Sequence, residues 1–508
     1  MKRRILSLAM FISSMTMLAQ EMTPETNILL SSNQLNGSSR FKGLSGAMGA
    51  LGADGSAVSI NPAGSGLFNY NHFSITGEVF TTKLESNYLN NLNTTNETEF
   101  LLPNLSAYFT YNTNNEKGLT KVNYGFGYQN EARFNSYEVS SGNSQTSAVN
   151  YFLNHANNGF NGNAVPLNLV QTNQNESIGD LYDYLNTQPY GFAAQQAMLG
   201  YQGYLINDNN GVYESNMTQG NYYQENASIT TGSQNKLSGN VSFEVDKRFY
   251  LGANLNIHFT DLLKNSSFYE ENTDNINTGV KRYEFNNSTY TYGNGFSFQL
   301  GGIAKVTEEF RIGATYQSPT WHSLNDEFSQ NLRSNYYDNA NLLTANVNPD
   351  LVTVYDTYTV KTPGSFTGSL AYIFGSNALL SFDYQYKDYS QTEYSNNNGA
   401  FATLNDYYKN ELQAVSDIRI GGEYRIDKVS LRAGYRYANS AYKNNDIIGD
   451  LNSASFGLGY SYGTSRLDFG YAFTHQPVKS YPLTSGIDHV NRIKSKYNSF
   501  NITYSVNF

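Results

Sequence analysis

The chain has 508 residues and a formal net charge of −10, which argues against nucleic-acid binding. It has no cysteine, which excludes a disulfide framework and attachment to lipid through a cysteine. Mean hydropathy is −0.50, and after the first twenty residues no apolar run approaches the ~18 residues of a spanning helix. A closed strand barrel, which satisfies its own backbone hydrogen bonds, is not excluded.

Lys2, Arg3 and Arg4 precede the apolar run Ile5 to Leu18 and then Ala19-Gln20, the pattern of a secretory signal peptide over residues 1–19. Residues 20–68 read as a periplasmic N-terminal segment and a hatch. Within them Gly43, Gly46, Gly49 and Gly52 are spaced by three, and Asn61, Pro62 and Ala63 follow. Glycine at that spacing suits close backbone approach and irregular turns rather than a water-exposed helix. Joined to the start of a barrel, such a segment is expected to sit inside it as a plug.

Residues 69–508 read as the barrel, an all-β transmembrane fold. In Phe249 to Phe259 the odd positions are apolar, while Asn254, Asn256 and His258 lie opposite. The scheme recurs at Phe296 to Val306, Phe310 to Tyr316, Leu380 to Tyr386, Ile418 to Ile426, Val429 to Tyr437, Phe456 to Tyr462 and Leu467 to Phe473. These are the lengths a tilted strand needs to cross hydrocarbon, and 43 Tyr and 30 Phe suit aromatic belts.

Charge fixes the parity. Slipping Ile418 to Tyr437 by one residue would put Arg419, Arg425, Arg432 and Arg436 into lipid, at roughly 2–4 kcal/mol each near the midplane. They are therefore expected to face the lumen. Very short turns such as Asp427-Lys428 alternate with long polar loops, about Asn135 to Tyr222, Asp261 to Tyr290 and Pro319 to Val352 among them. Short periplasmic turns against long extracellular loops predict about fourteen strands. In the longest loop, Leu181, Phe192, Met198 and Leu199 at mixed helical spacings form either a hydrophobic capture groove or the loop's own core. The closing ribbon Phe500 to Phe508 alternates apolar and small polar residues. It resembles the C-terminal signal, ending at Phe508, through which outer-membrane barrels meet their assembly machinery.

Asp54 to Ala63, following the glycine run and preceding the first strand, resembles the hatch of the FadL/TodX family of outer-membrane transporters of long-chain fatty acids and other hydrophobic compounds. Thr362 to Tyr372, Asp383 to Ser390 and Arg432 to Tyr437 are similar to that family's C-terminal half. The Tyr- and Asn-rich style looks like the Bacteroidetes branch, where haemin receptor is a further description. The resemblance implies extracellular capture, hatch movement and lateral release beside an inward kink of the third strand. Gly125 and Gly127, on its lumen side, are the expected markers of that opening or of space for the hatch. An anionic headgroup would want a lumenal cation, for which Arg311, Arg419, Arg425, Arg432 and Arg436 are candidates, salt bridging with Glu423 and Asp468 being the other reading.

The six histidines fall in no nucleophile or metal-binding motif, and the glycine run lacks a nucleotide-loop ending. An enzyme, a cofactor and a metal site are not expected. The implied partners are outer-membrane lipid and a hydrophobic small molecule, the barrel acting as a monomer. A diffusion porin is the alternative, against which the plug-like segment argues.

Overall fold

The computed structural model describes residue 30 and residues 34–113, 115–396, 399, 401–444 and 447–508. The signal-peptide reading lies outside the described residues.

Fourteen antiparallel strands close one barrel. β1 is His72–Tyr88 and β2 Asn91–Asn112; β3 has two pieces, Leu119–Arg133 and Ser136–Ser144. β4 is Tyr222–Val245, β5 Phe249–Asn272 and β6 Gly279–Lys305. β7 comprises Phe310–Gln317 and Thr320–Asp338; β8 comprises Asn341–Val347, Thr353–Val354, Tyr358–Thr362 and Ser365–Phe374. β9 is Ala378–Asp388, and β10 to β14 are Ala414–Ile426, Val429–Ala438, Leu451–Tyr462, Ser465–Ser480 and Asn491–Asn507. β14 closes on β1 from Asn507↔His72 to Arg492↔Asn87, so β1 and β14 leave no open edge.

Alternation sorts the side chains as the charge argument requires. Leu251, Leu255 and Ile257 of β5 are exposed on the outer surface, whereas Asn254, Asn256 and His258 are buried inside. On β10 and β11, Ile420, Tyr424, Leu431 and Tyr435 point out; Arg419, Glu423, Arg432 and Arg436 are buried. Two of the expected loops are largely strand. β5 and β6 run in register as far as Glu271↔Arg282, and β7 continues to Asp338. Above the lipid both faces meet water or protein, so the period-two hydrophobic signal fades while the backbone ladder continues.

The N-terminal segment lies inside this wall. Its helix α1, Ser39–Gly43, starts on Ser38, whose hydroxyl accepts from the Phe41 N–H. It packs on β12 and β13, and the turn Pro62–Leu67 packs on β4, β5 and β6. A ring of lumen-facing glycines makes room: a Cβ on Gly252, Gly301, Gly421, Gly434 or Gly470 would come within 2.1–3.0 Å of segment atoms. Within the segment the three-residue glycine spacing serves two needs. Gly46 and Gly52 adopt φ +77° and +57°, while Gly43 and Gly49 abut Gly457 and Ser369 of the wall. Leu30 is buried with Phe134 and Leu262.

Two caps cover the extracellular mouth. One contains α2 (Asn150–Asn157), α3 (Ile178–Asn186) and α4 (Gly191–Gln202), packed against Phe268, Phe285 and Leu332 of β5 to β7. The other contains α5 (Ala402–Glu411), whose Leu404 and Tyr408 join Tyr358 and Tyr394 in a second apolar cluster.

Candidate functional site

Asn61, Pro62 and Ala63 act as one fastener. The Asn61 Oδ1 accepts from the Ala63 N–H (3.1 Å) and caps the following turn. Its Nδ2 donates to the carbonyls of Gly49 (2.8 Å) and Gly302 on β6 (3.1 Å). The Asn240 amide on β4 donates to the Pro62 carbonyl at 3.0 Å. Three strands along the wall, on β9, the Asp383 carboxylate accepts from the N–H groups of Met48 and Gly49, each at 3.0 Å. Lys42 places Nζ 2.5 Å from Glu78 on β1, and Arg40 places Nε 3.1 Å from Glu423 on β10. The segment is thus bonded around most of the wall.

The wall is interrupted between β2 and β3. Their ladder runs from Asn112↔Lys121 to Asn104↔Gln129 and stops. On its other side β3 shifts register between Asn130 and Ala132, and its two pieces are separated by Phe134 and Asn135. Opposite this break stands Gly232 of β4, at φ +120°, whose carbonyl accepts from the Phe134 N–H at 3.0 Å. Phe134 is turned inward and buried in the α5 cluster.

The β3 edge without a strand partner is bonded by the N-terminal segment. The Gln34 amide accepts from the Arg133 N–H and donates to its carbonyl, both at 3.1 Å. The Asn36 amide donates to the Glu131 carbonyl (3.3 Å) and accepts from Arg133 Nη2 (2.5 Å). Arg133 also reaches Glu78 at 2.5 Å, so one carboxylate holds both this strand edge and Lys42. Above the break β2 and β3 meet through side chains: the Asn93 Oδ1 accepts from the Ser141 N–H, and Thr95 donates to the Tyr137 carbonyl.

A lumenal cavity of about 260 Å³ lies above the segment, with Phe80, Phe134, Val415, Ile448 and Leu451 as its apolar lining. A cavity of about 450 Å³ occupies the break in the wall, edged by Leu101, Leu102 and Tyr128. Both are lined by Arg133 and Asn135. A smaller polar cavity of about 100 Å³, with Glu131, Lys236 and His258, shares Leu35 and Asn36 with the first.

Residues 207–508 match the family model described as outer membrane protein transport protein (OMPP1/FadL/TodX). The chain belongs to this family. It is an outer-membrane barrel of a Gram-negative bacterium; among the described residues no helix is long and apolar enough to cross a membrane. Its fold is that of a Pseudomonas aeruginosa FadL homologue (13% identity, 94% of this chain and 99% of that one, TM-score 0.54). It is also that of the Pseudomonas putida toluene transporter TodX (14% identity, 94% and 99%, TM-score 0.51). No curated protein matches it in sequence.

In this FadL/TodX-family chain the residues singled out from sequence fall in several places. Gly125 and Gly127 lie within continuous pairing on both sides of β3; the break is several residues further on, at Asn130 to Asn135. A Cβ on Gly125 would meet the Ala107 carbonyl at 2.4 Å, so that glycine serves strand packing. Leu181, Met198 and Leu199 are buried in the core of the first cap, and Phe192 of α4 is buried as well. A groove would need them exposed; their burial fits the second of the two readings, the loop's own core.

Four of the five candidate arginines are committed to carboxylates. Arg419 and Arg436 share Asp417 at 2.6 and 2.7 Å, and Arg432 bridges Glu423 and Asp468 at 2.6 and 2.8 Å. Arg425 pairs with Glu423 near the short-turn end, half exposed. Arg311 donates to the Leu51 carbonyl beneath the segment. Sequence reasoning missed Arg133, whose Nε and Nη1 are buried without a hydrogen-bond partner. A cation at the end of a strand piece, just before Phe134-Asn135, was the available signal.

Proposed function

We propose that the protein takes up a hydrophobic compound, such as a long-chain fatty acid, by holding it in the cavity above the segment and releasing it sideways into the outer membrane. The segment acts as the hatch that closes the lumen. One observation carries this reading: the lumenal cavity and the break in the wall share Arg133 and Asn135, so the apolar interior adjoins the lipid side. Each methylene moved out of water is worth about 0.8 kcal/mol, which favours a route between apolar surfaces over an aqueous pore. An acidic head would meet Arg133, which lines both cavities and of whose side-chain nitrogens Nη2 is held by Asn36 and Glu78, whereas Arg419 and Arg436 are held together on Asp417. Toluene, the cargo of the TodX transporter, supports hydrophobic cargo of some kind. Chemistry on the cargo has no support from the site.

The chain has no cysteine, which permits a clean test. Leu102→Cys, 46% exposed at the rim of the break, is labelled in cells with a bulky maleimide, and uptake of a fluorescent fatty acid is followed. Leu370→Cys, 45% exposed on another strand, is the control. Labelling is expected to slow uptake at the first position alone. Equal uptake by both labelled variants would remove the lateral route.

A further inference from the structure

Below the N-terminal segment lies a cavity of about 620 Å³, bordered by Asn112, Lys247, Gly375 and Ser376 of the short turns, which places it at the periplasmic end. Its charged lining is one-sided for a chain of net charge −10: Arg40, Lys121, Lys247, Lys305, Arg311 and Arg425, against Glu244. Three of these cations have a carboxylate partner: Lys121 has Glu244, and Arg40 and Arg425 share Glu423 with Arg432. Lys305 and Arg311 enter no ion pair among the described residues, although they face one another as register partners on β6 and β7. Arg311 gives Nη1 to the Leu51 carbonyl at 3.3 Å, and its Nε is buried with no hydrogen-bond partner. The Lys305 Nζ lies 5.3 Å from the centre of the Tyr250 ring. Glu308, in the adjoining turn, is exposed and pairs with neither.

Lys305 and Arg311 repel one another, and neither of the nearby anions, Glu244 and Glu308, comes within ion-pair distance of them. An oxyanion bound between them offsets that repulsion, since guanidinium and ammonium both donate to carboxylate or phosphate. We infer that this vestibule is an oxyanion-binding site, with Arg311 and Lys305 as its two ligands. Leu51, Leu67 and Ile373 line the same cavity, so the carboxylate of an amphiphile has an apolar surface for its tail, while a free phosphate would use the cations alone. The site is separate from the lateral route, and either can fail without the other.

The full-length detergent-solubilised protein is acylated at lysine with inorganic phosphate, acetate or octanoate present, and each lysine is read by mass spectrometry. Exposed Lys117 is the internal control. Binding is expected to slow acylation of Lys305 about five-fold relative to Lys117, and Arg311→Gln is expected to abolish that protection. Protection by octanoate well below the acetate concentration required marks an amphiphile. Equal protection by phosphate and acetate marks a small free anion. No protection of Lys305 by any of the three, or protection retained in Arg311→Gln, overturns the inference. Should Arg311→Gln fail to fold, Lys305→Gln is read by the 31P linewidth of phosphate. Broadening present in the parent and absent in the variant is expected, and unchanged broadening overturns the site.

Discussion

The wall at β10 to β12 and the wall at β2 to β3 solve the same problem with different bonds. Between β10 and β11 the ladder runs unbroken from Asp417↔Ala438 to Ile426↔Val429, and between β11 and β12 from Val429↔Tyr460 to Ala438↔Leu451. Behind it the arginines are locked onto Asp417, Glu423 and Asp468, and glycines bring the segment backbone against the strands. Between β2 and β3 the ladder ends at Asn104↔Gln129, and the freed groups of β3 are held by the side chains of Gln34 and Asn36. A backbone ladder parts only when whole strands separate. A side-chain bond of about 1 kcal/mol net exchanges one at a time, so the second wall is the easier of the two to loosen.

The largest contrast should come from removing a buried charge on the rigid side. Asp417→Ala leaves Arg419 and Arg436 without their shared carboxylate in a buried setting. The expected loss is about 3–5 kcal/mol, read as a lowered unfolding temperature in detergent. Unfolding unchanged within a degree would show that this network does not brace the wall.

The first cap supplies a pH-dependent effect. Glu270 stands at the outer end of β5, beyond the membrane-crossing part, and is fully buried. It accepts from the Ala148 N–H and the Gln224 amide, both at 2.7 Å, and from the Ser147 hydroxyl. Burial raises its pKa from 4.5 to about 7, although those three bonds pull it down. With the folded value above the unfolded one, its contribution is fully present below pH 4.5 and is lost as the pH rises through 7, about 3 kcal/mol in all. Hydrogen exchange at Ala148, corrected for the chemical rate, should therefore quicken across that range, and Glu270→Gln should flatten the dependence. A parent cap with constant protection from pH 4.5 to 7 would contradict the burial argument.

A smaller effect is expected from filling the contact between wall and segment. A Cβ at Gly434 would stand 2.7 Å from the backbone of Leu44 and Ser45, whereas nothing lies within 4 Å of one at Gly368. Gly434→Ala should cost about 1–3 kcal/mol and expose the segment to protease, and Gly368→Ala should do neither. Equal behaviour of the two would mean that the segment is not seated against β11.

What the sequence made legible follows from the same contrast. The parity of β10 and β11 was readable because Arg419, Arg432 and Arg436 have only one affordable side, the lumen. The strand extensions of β5 to β7 were not, because beyond the hydrocarbon nothing imposes alternation. The break was sought at Gly125 and Gly127, yet a glycine inside a paired strand only permits close packing. The interruption needs a whole stretch, Asn130 to Asn135, whose partners lie about a hundred residues away in the segment. The apolar residues of the long loop gave helices correctly but not their facing, which depends on Phe285 and Leu332 across the mouth. The glycine ring was visible as lumen-parity glycines on successive strands, a pattern that means little until something is known to lie against it.

The smallest expected effect bears most directly on how the wall opens. Gln34→Ala with Asn36→Ala removes the bonds to the Glu131 carbonyl and to both backbone groups of Arg133, leaving the β3–β4 ladder in place. Global unfolding should fall by only about 1–2 kcal/mol, because water can reach part of that edge through the break. Exchange of the Arg133 amide should nonetheless quicken about ten-fold, while amides of β11 keep their protection. If the Arg133 amide is as protected as before, something other than the segment holds that edge, and movement of the segment would not open the wall there. If β11 loosens equally, the double substitution has weakened the whole barrel and the contrast between the two walls fails. Local loosening alone would mean that the lumenal segment closes the β3 edge, so that its displacement and the widening of the break are one event.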